Sequence, residues 1–300
     1  MAAVLDLPSA PDSPLRRFAA DFAASRLALA GLALLLVVVG IALLAPLLAP
    51  QNPYDLAKLD LLDSRLAPGE AGMSGKSYLL GTDGQGRDML SAIMYGLRVS
   101  LYVGVASGLI AVTIGGLLGV LAAYAGGRFE QFLMRVVDIQ LGFPAILVAL
   151  ILLAVLGKGV DKIIIALVTV QWAYYARTAR SAALVERGKE YIEAARGLGL
   201  SPARIVLRHL LPNALPPLIV VATVQVAHAI ALEATLSFLG LGLPTTEPSL
   251  GLLIANGYEF LMSGKYWISV YPGIALLVTI LAINLVGDQL RDQLNPRLAK

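Results

Sequence analysis

Residues Leu27 to Ala49 read LALAGLALLLVVVGIALLAPLLA, without one charged side chain. A bilayer hydrocarbon core about 30 Å thick needs roughly 20 apolar residues in a helix. This stretch meets that, and it exceeds the apolar core of a cleaved signal peptide, about 7–15 residues. It also follows a polar tail with Pro8, Pro11, Asp12 and Arg16-Arg17. It reads as a retained signal-anchor span. The rest of the chain agrees. Of 300 residues 58% are hydrophobic and 14% charged, more apolar surface than one soluble core can absorb. The apolar stretches are long and continuous, not the alternating segments of about 10 residues that a barrel would show. The fold class is therefore all-α, polytopic and membrane-embedded.

Outward from this anchor, the pattern predicts six spans: about 27–49, 99–124, 132–156, 161–182, 214–239 and 269–288. The organisation is an N-terminal tail 1–26, a first transmembrane helix 27–49 and a loop 50–97. A core 98–289 follows, with five spans and a charged loop 184–213, and then a tail 290–300. Residues 240–268 read as a second long loop, rich in Gly, Pro and polar residues. Six spans put both termini on one side. With the termini inside, 15 of the 23 Lys and Arg lie inside. Half of the others fall in the long 50–97 loop, where the charge rule is weak. Both termini are expected to be cytoplasmic. Cysteine is absent, which removes disulfides and thiolate chemistry.

Gly104, Gly108, Gly115, Gly119 and Ala123 recur at helical spacing in the second span. Such faces let helix backbones approach closely in lipid, so they predict tight packing, with a moving gate as the alternative. Pro144 after Gly142 predicts a kink or a helix start.

The stretch Tyr191–Leu218, YIEAARGLGLSPARIVLRHLLPNALPPL, reads as helix–turn–helix. Gly199 can take the left-handed conformation that ends a helix. Ser201 is placed as an N-cap and Pro202 at the first helical position. A second short basic helix is expected to run to about Leu211, with Pro212 breaking it before the fifth span. A rigid charged element of this kind suits contact with another protein; a segment lying on lipid headgroups is the alternative.

The order Glu193-Ala194-Ala195, three residues, Gly199, then Leu211-Pro212 resembles the EAA loop of ABC importer permeases. His209 stands where that pattern normally carries Ile. Three further stretches are similar to permeases of dipeptide, oligopeptide and nickel importers: LGTDGQGRDMLSAIMYGLRVSL (80–101), LEATLSFLGLGLP (232–244) and GDQLRDQLNPRL (287–298). A Trp-Gly pair common after the Leu-Gly-Leu-Gly run is missing, since Pro248 is followed by Ser249, Leu250 and Gly251. The resemblance implies a type I ABC importer permease fold with six transmembrane helices, in a bacterial inner membrane. It implies that Glu193, Ala194, Ala195, Gly199, Leu211 and Pro212 couple the chain to an ATPase. The implied partners are a second homologous permease, two ATP-binding cassette ATPases and an extracytoplasmic substrate-binding protein. ATP and Mg would sit on the ATPases, with no cofactor on this chain. Dipeptides or longer peptides are the implied cargo, with nickel or other small solutes as alternatives.

The residues themselves offer little else. Gly75-Lys76-Ser77 lacks the first glycine of a phosphate loop, since position 70 is Glu70. Gly84-Gln85-Gly86 reads as a turn. Two histidines, His209 and His228, make neither a zinc site nor a catalytic triad. No covalent chemistry, catalytic residue or metal is expected, and no nucleic acid. Polar residues within spans are candidates for a translocation path. Gln225, His228 and Thr235 fall within roughly 80° on one face of span five, with Glu233 and Ser237 on another. Interhelical hydrogen bonding is the competing explanation for these residues, and for Asp138 and Asn284, while Asp288 with Arg291 reads as a membrane-edge charge pattern. An ion-coupled secondary transporter, the main rival class, would show paired halves with interrupted helices, and no internal repeat is visible.

Overall fold

The computed structural model describes residues 14–55, 59–73 and 75–294. The outer parts of both expected tails, with the end of the 287–298 motif, lie outside the described residues. The described chain is helical, with two isolated bridges (Ala71–Ser77 and Thr82–Asp88) in the segment between the first two long helices. The helices are α1 (Pro14–Ala24), α2 (Arg26–Leu48), α3 (Met89–Ala125), α4 (Gly127–Gly142), α5 (Ala145–Leu156) and α6 (Val160–Arg187). They continue with α7 (Glu190–Gly197), α8 (Pro202–Ile205), α9 (Leu211–Phe238), α10 (Leu250–Tyr258) and α11 (Trp267–Leu294).

Four stretches are long and apolar enough to cross a membrane by themselves: α2, α3, Pro202–Phe238 and α11. The pair α4–α5, bent by 91°, is a fifth candidate. α6 is the remaining long helix. Arg177, Arg180 and Gln171 dilute its hydropathy, but its register beside α3 shows its path. A Cβ on Gly115 would lie 2.8 Å from Tyr175 Cβ, and one on Gly119 2.8 Å from Ala179 Cβ. Four residues on one helix match four on the other, so α3 and α6 run parallel. The chain must therefore return across the layer between them, through α4 and α5. α9 runs against α3, since Gly104 meets Ile230 and Gly116 meets Leu218. α11 runs against α2, where Gly31 meets Leu285. The alternation gives six passes, with the start of α2 and the end of α11 at the same end of the bundle.

The glycine ladder of α3 serves two partners. Gly104 and Gly108 lie on α9, whereas Gly115 and Gly119 lie on α6. In lipid such contacts replace the hydrophobic drive that water would supply.

Three expectations on boundaries are corrected, and the break expected at Pro144 is found. α3 begins at Met89, not near 99, because Asp88 caps it by accepting from Ser91 N–H; the charge of Arg98 hid ten residues of helix. The third span bends where Pro144 predicts a kink or a helix start. Phe143 and Pro144 are extended, and Pro144 starts α5 where a helix cannot continue through it. The segment 240–268 contains α10, whose Gly251 packs on the backbone of Ala234 and whose Gly257 packs on Ile268 and Ser269. Pro212 does not break the helix before span five. Val206–Leu210 is a π turn in which Leu211 N–H reaches back to Val206 O, and the stretch Pro202–Phe238 is continuous. A widened turn here leaves room for the Pro212 ring, which in a regular helix would strike the carbonyl four residues back.

The described residues between α2 and α3 are tied to the bundle, where Trp267 Nε1 donates to Thr82 O at 3.3 Å. Arg87 is 0% exposed and donates to Asp83 Oδ2 at 2.6 Å, while Asp83 Oδ1 accepts from the N–H groups of Gln85 and Arg87. Arg87 also reaches Thr245 O at 3.4 Å, tying this turn to the loop after α9. Tyr78 donates to Asp63 at 2.9 Å. Burial and the Asp63 carboxylate push its phenol up to about 12.

Candidate functional site: a two-helix element and an adjoining cavity

The element begins where α6 ends. Lys189 Nζ pairs with Glu186 Oε1 at 2.7 Å, and Tyr191 OH donates to Glu186 Oε2 at 2.7 Å. Asn213 Nδ2 donates to Tyr191 OH at 3.2 Å and to the His209 carbonyl at 2.6 Å. The two ends of the element are thus tied through one phenol. Burial and the Glu186 contact push that phenol up to about 12, so it remains a donor at physiological pH.

α7 ends in a Schellman arrangement. Gly199 has φ 71°, Gly199 N–H bonds to Arg196 O at 2.9 Å, and Leu200 N–H bonds to Ala195 O at 3.1 Å. Ser201 then caps α8 by accepting from Arg204 N–H, with Pro202 in the first turn. Ile192, Ala195, Ile205, Val206 and Leu210 are buried in one cluster with Val120, Ala123 and Leu218. The element is therefore seated on the ends of α3 and α9. Two cations add to this: Arg187 donates to the Ala123 carbonyl at 2.6 Å, and Arg196 lies 5.5 Å from the Tyr124 ring centre. The first satisfies an orphan carbonyl in the last turn of α3 and complements its dipole.

Of the six residues expected to couple, Glu193, Ala194, Gly199 and Pro212 are exposed, and Leu211 is half-buried. Ala195 is only 4% exposed and faces this chain's own core. Leu198, which the motif did not point to, is 81% exposed. Below the element, Arg180 and Arg177 hold α6 to α4 through Glu130 (Nε–Oε1 2.7 Å) and Asp138.

A cavity of about 440 Å³ opens between α5, α6 and α9. Gln225, His228 and Thr235 line it together with Gln171 and Tyr174. Gln171 Nε2 donates to the Gln225 carbonyl at 3.3 Å, and its buried Oε1 has no partner. Glu233 stands elsewhere. It is 0% exposed, accepts from Ser100 at 2.9 Å and from Ser237 at 2.8 Å, and so joins α3 to α9. In this conformation it does not line the cavity; at 100° per residue it stands about 140° from His228 and about 160° from Thr235. Gln171 and Tyr174 escaped the sequence reading because α6 was read for its hydropathy, not its faces.

A helical bundle with six passes and a two-helix element at one end defines a polytopic integral membrane protein. The chain belongs to the family of binding-protein-dependent transport system inner membrane components, whose profile matches residues 115–300. Residues 13–68 match the N-terminal TM domain of oligopeptide transport permease C. The di/tripeptide transport system permease protein DppC of Pseudomonas aeruginosa (strain UCBPP-PA14) is 39% identical over 95% of this chain and 93% of its own length. The dipeptide transport system permease protein DppC of Escherichia coli (strain K12) is 39% identical over 96% and 95%. The fold is also that of the methionine ABC transporter MetNI in an inward-facing form. There the TM-score is 0.57 at 23% identity, over 69% of this chain and 98% of the other.

Proposed function

We propose that the chain is one of two permease subunits in an ATP-driven importer of di- or oligopeptides. In this reading both chain ends face the cytoplasm of a bacterial inner membrane. The observation that carries it is the exposed element 190–211, fixed to the end of α3 and continuous with α9. Ile192 and Ala195 root its first helix in the core cluster at the end of α3, and its second helix runs on into α9.

Glu193, Ala194 and Leu198 offer the contact surface to an ATPase. Gly199 sets the turn, Leu211 and Pro212 pass the element into α9, and Ala195 roots it on the chain's own core. A second related permease faces the cavity, so that Gln225, His228 and Thr235 line a path between the two. Glu233 holds α3 and α9 in register. Two ATPases carrying ATP and Mg drive exchange between outward- and inward-open states, a two-state element biased by nucleotide. A substrate-binding protein delivers cargo. The named relatives support peptide as that cargo.

The test is uptake of labelled dipeptide by proteoliposomes holding both permeases and the binding protein, with and without the ATPases. Uptake is expected only with ATPases and ATP. Isolation of this chain as an active transporter without any ATPase would overturn the reading.

A further inference from the structure

We propose that the groove between α2 and α3 holds one glycerophospholipid from the leaflet on the side of the 50–88 segment. Its phosphate rests on Arg98, and one acyl chain lies along Val99–Leu109. The groove has a volume of about 690 Å³, and its walls are aliphatic or aromatic apart from Arg98 at one end. Ala42, Leu43, Tyr102 and Ala106 form its sides. From Arg98 to Leu109 the helix rises about 16 Å, which matches half of a hydrocarbon core of about 30 Å. A guanidinium at one end of a one-leaflet-deep apolar trough has the charge and length of a phospholipid.

Arg98 is exposed and makes no hydrogen bond or ion pair among the described residues. A cation at the membrane edge without a protein partner extends to the headgroup region and pairs there. Tyr54, stacked edge-on against Tyr95 at 5.3 Å, lines the same end. Arg98 and Glu247 are both within electrostatic reach of Tyr54, but only Arg98 lines the groove. A second groove of about 380 Å³ between α2, α3 and α11 supplies a contrast, because no charged side chain lines it. It is a surface for bulk lipid tails without an anchor.

The experiment uses the assembled transporter in nanodiscs of phosphatidylethanolamine and phosphatidylglycerol. Native mass spectrometry counts phospholipid retained after detergent transfer, and an electron-microscopy map shows what fills the groove. Arg98→Gln is expected to lower retention about tenfold, the loss of one charge-assisted contact. Ala106→Phe, which fills the trough, is expected to lower it similarly, whereas Arg98→Lys keeps most of it. Ala275→Phe in the uncharged groove is expected to change nothing. The map is expected to show a headgroup on Arg98 and a chain beside Leu109. Unchanged retention in both Arg98→Gln and Ala106→Phe would overturn the proposal. So would a map in which side chains of the second permease occupy the groove.

Discussion

Gly199 separates two explanations of the coupling element that otherwise look alike. Its φ of 71° lies in the left-handed region, and a Cβ there would meet nothing within 4 Å. Substitution therefore costs backbone energy and no steric collision. For an ordinary L-residue that cost is about 1–2 kcal/mol, a factor of roughly 5–30 in the ratio of ordered to open element. Asn tolerates the conformation, Ala pays the ordinary cost, and Val, branched at Cβ, pays more. The expected order of ATP-dependent dipeptide uptake in proteoliposomes is Gly ≈ Asn, then Ala, then Val, with membrane insertion equal in all. Trypsin provides the structural readout, since Arg196, Arg204 and Arg208 are exposed around the turn. Cleavage there should quicken in the order in which uptake falls. If Asn is as damaging as Val and cleavage is unchanged, Gly199 is needed as open contact surface and the conformational argument is refuted.

Gly115→Leu or Gly119→Leu drives a side chain into the backbone of α6 and is expected to abolish recovery of monodisperse permease in detergent. Gly40→Ala, where a Cβ meets nothing within 4 Å, should leave recovery unchanged. Arg87→Met strands the buried Asp83 carboxylate and should lower thermal stability by the equivalent of about 3–5 kcal/mol; adding Asp83→Asn should return much of it. Glu130→Gln should cost more stability than Asp138→Asn, because Glu130 is 17% exposed and Asp138 61% and exposed pairs contribute about 0–1 kcal/mol. Tyr78 is a raised acid, so the bond to Asp63 contributes fully below the ordinary phenol value of 10.0 and is lost as pH rises through about 12. Thermal unfolding followed between those values should show a decline that Tyr78→Phe makes shallower, the Tyr191 phenol supplying part of the remainder.

What the sequence made legible was local. Gly199, Ser201 and Pro202 each act within four residues, and the structure places all three as their chemistry requires. The 100° arithmetic on span five likewise separates Glu233 from His228 and Thr235. What it hid was non-local or cooperative. One Arg, Arg98, ended an apolar window without ending a helix. The composition predicts a break at Pro212, because a π turn leaves no compositional mark. It predicts a loop over α10, because Gly251 and Gly257 look like turn residues, although they permit backbone contact with α9 and α11. The Arg187 cap on Ala123 and the Asn213–Tyr191 tie join residues 64 and 22 positions apart, distances at which no spacing rule operates.

Docking of an ATPase on the outer face of 190–211 can be read directly by cross-linking. The chain has no cysteine, so single-cysteine trapping has no background from this subunit. Ala194→Cys, on the exposed face, is predicted to form a disulfide with a cysteine placed in the cognate ATPase, with a yield that changes when ATP is added. Ile192→Cys, at a position 0% exposed, is predicted not to cross-link. Absence of cross-linking from Ala194→Cys in a transport-competent complex, or equal cross-linking from both positions, would contradict the account.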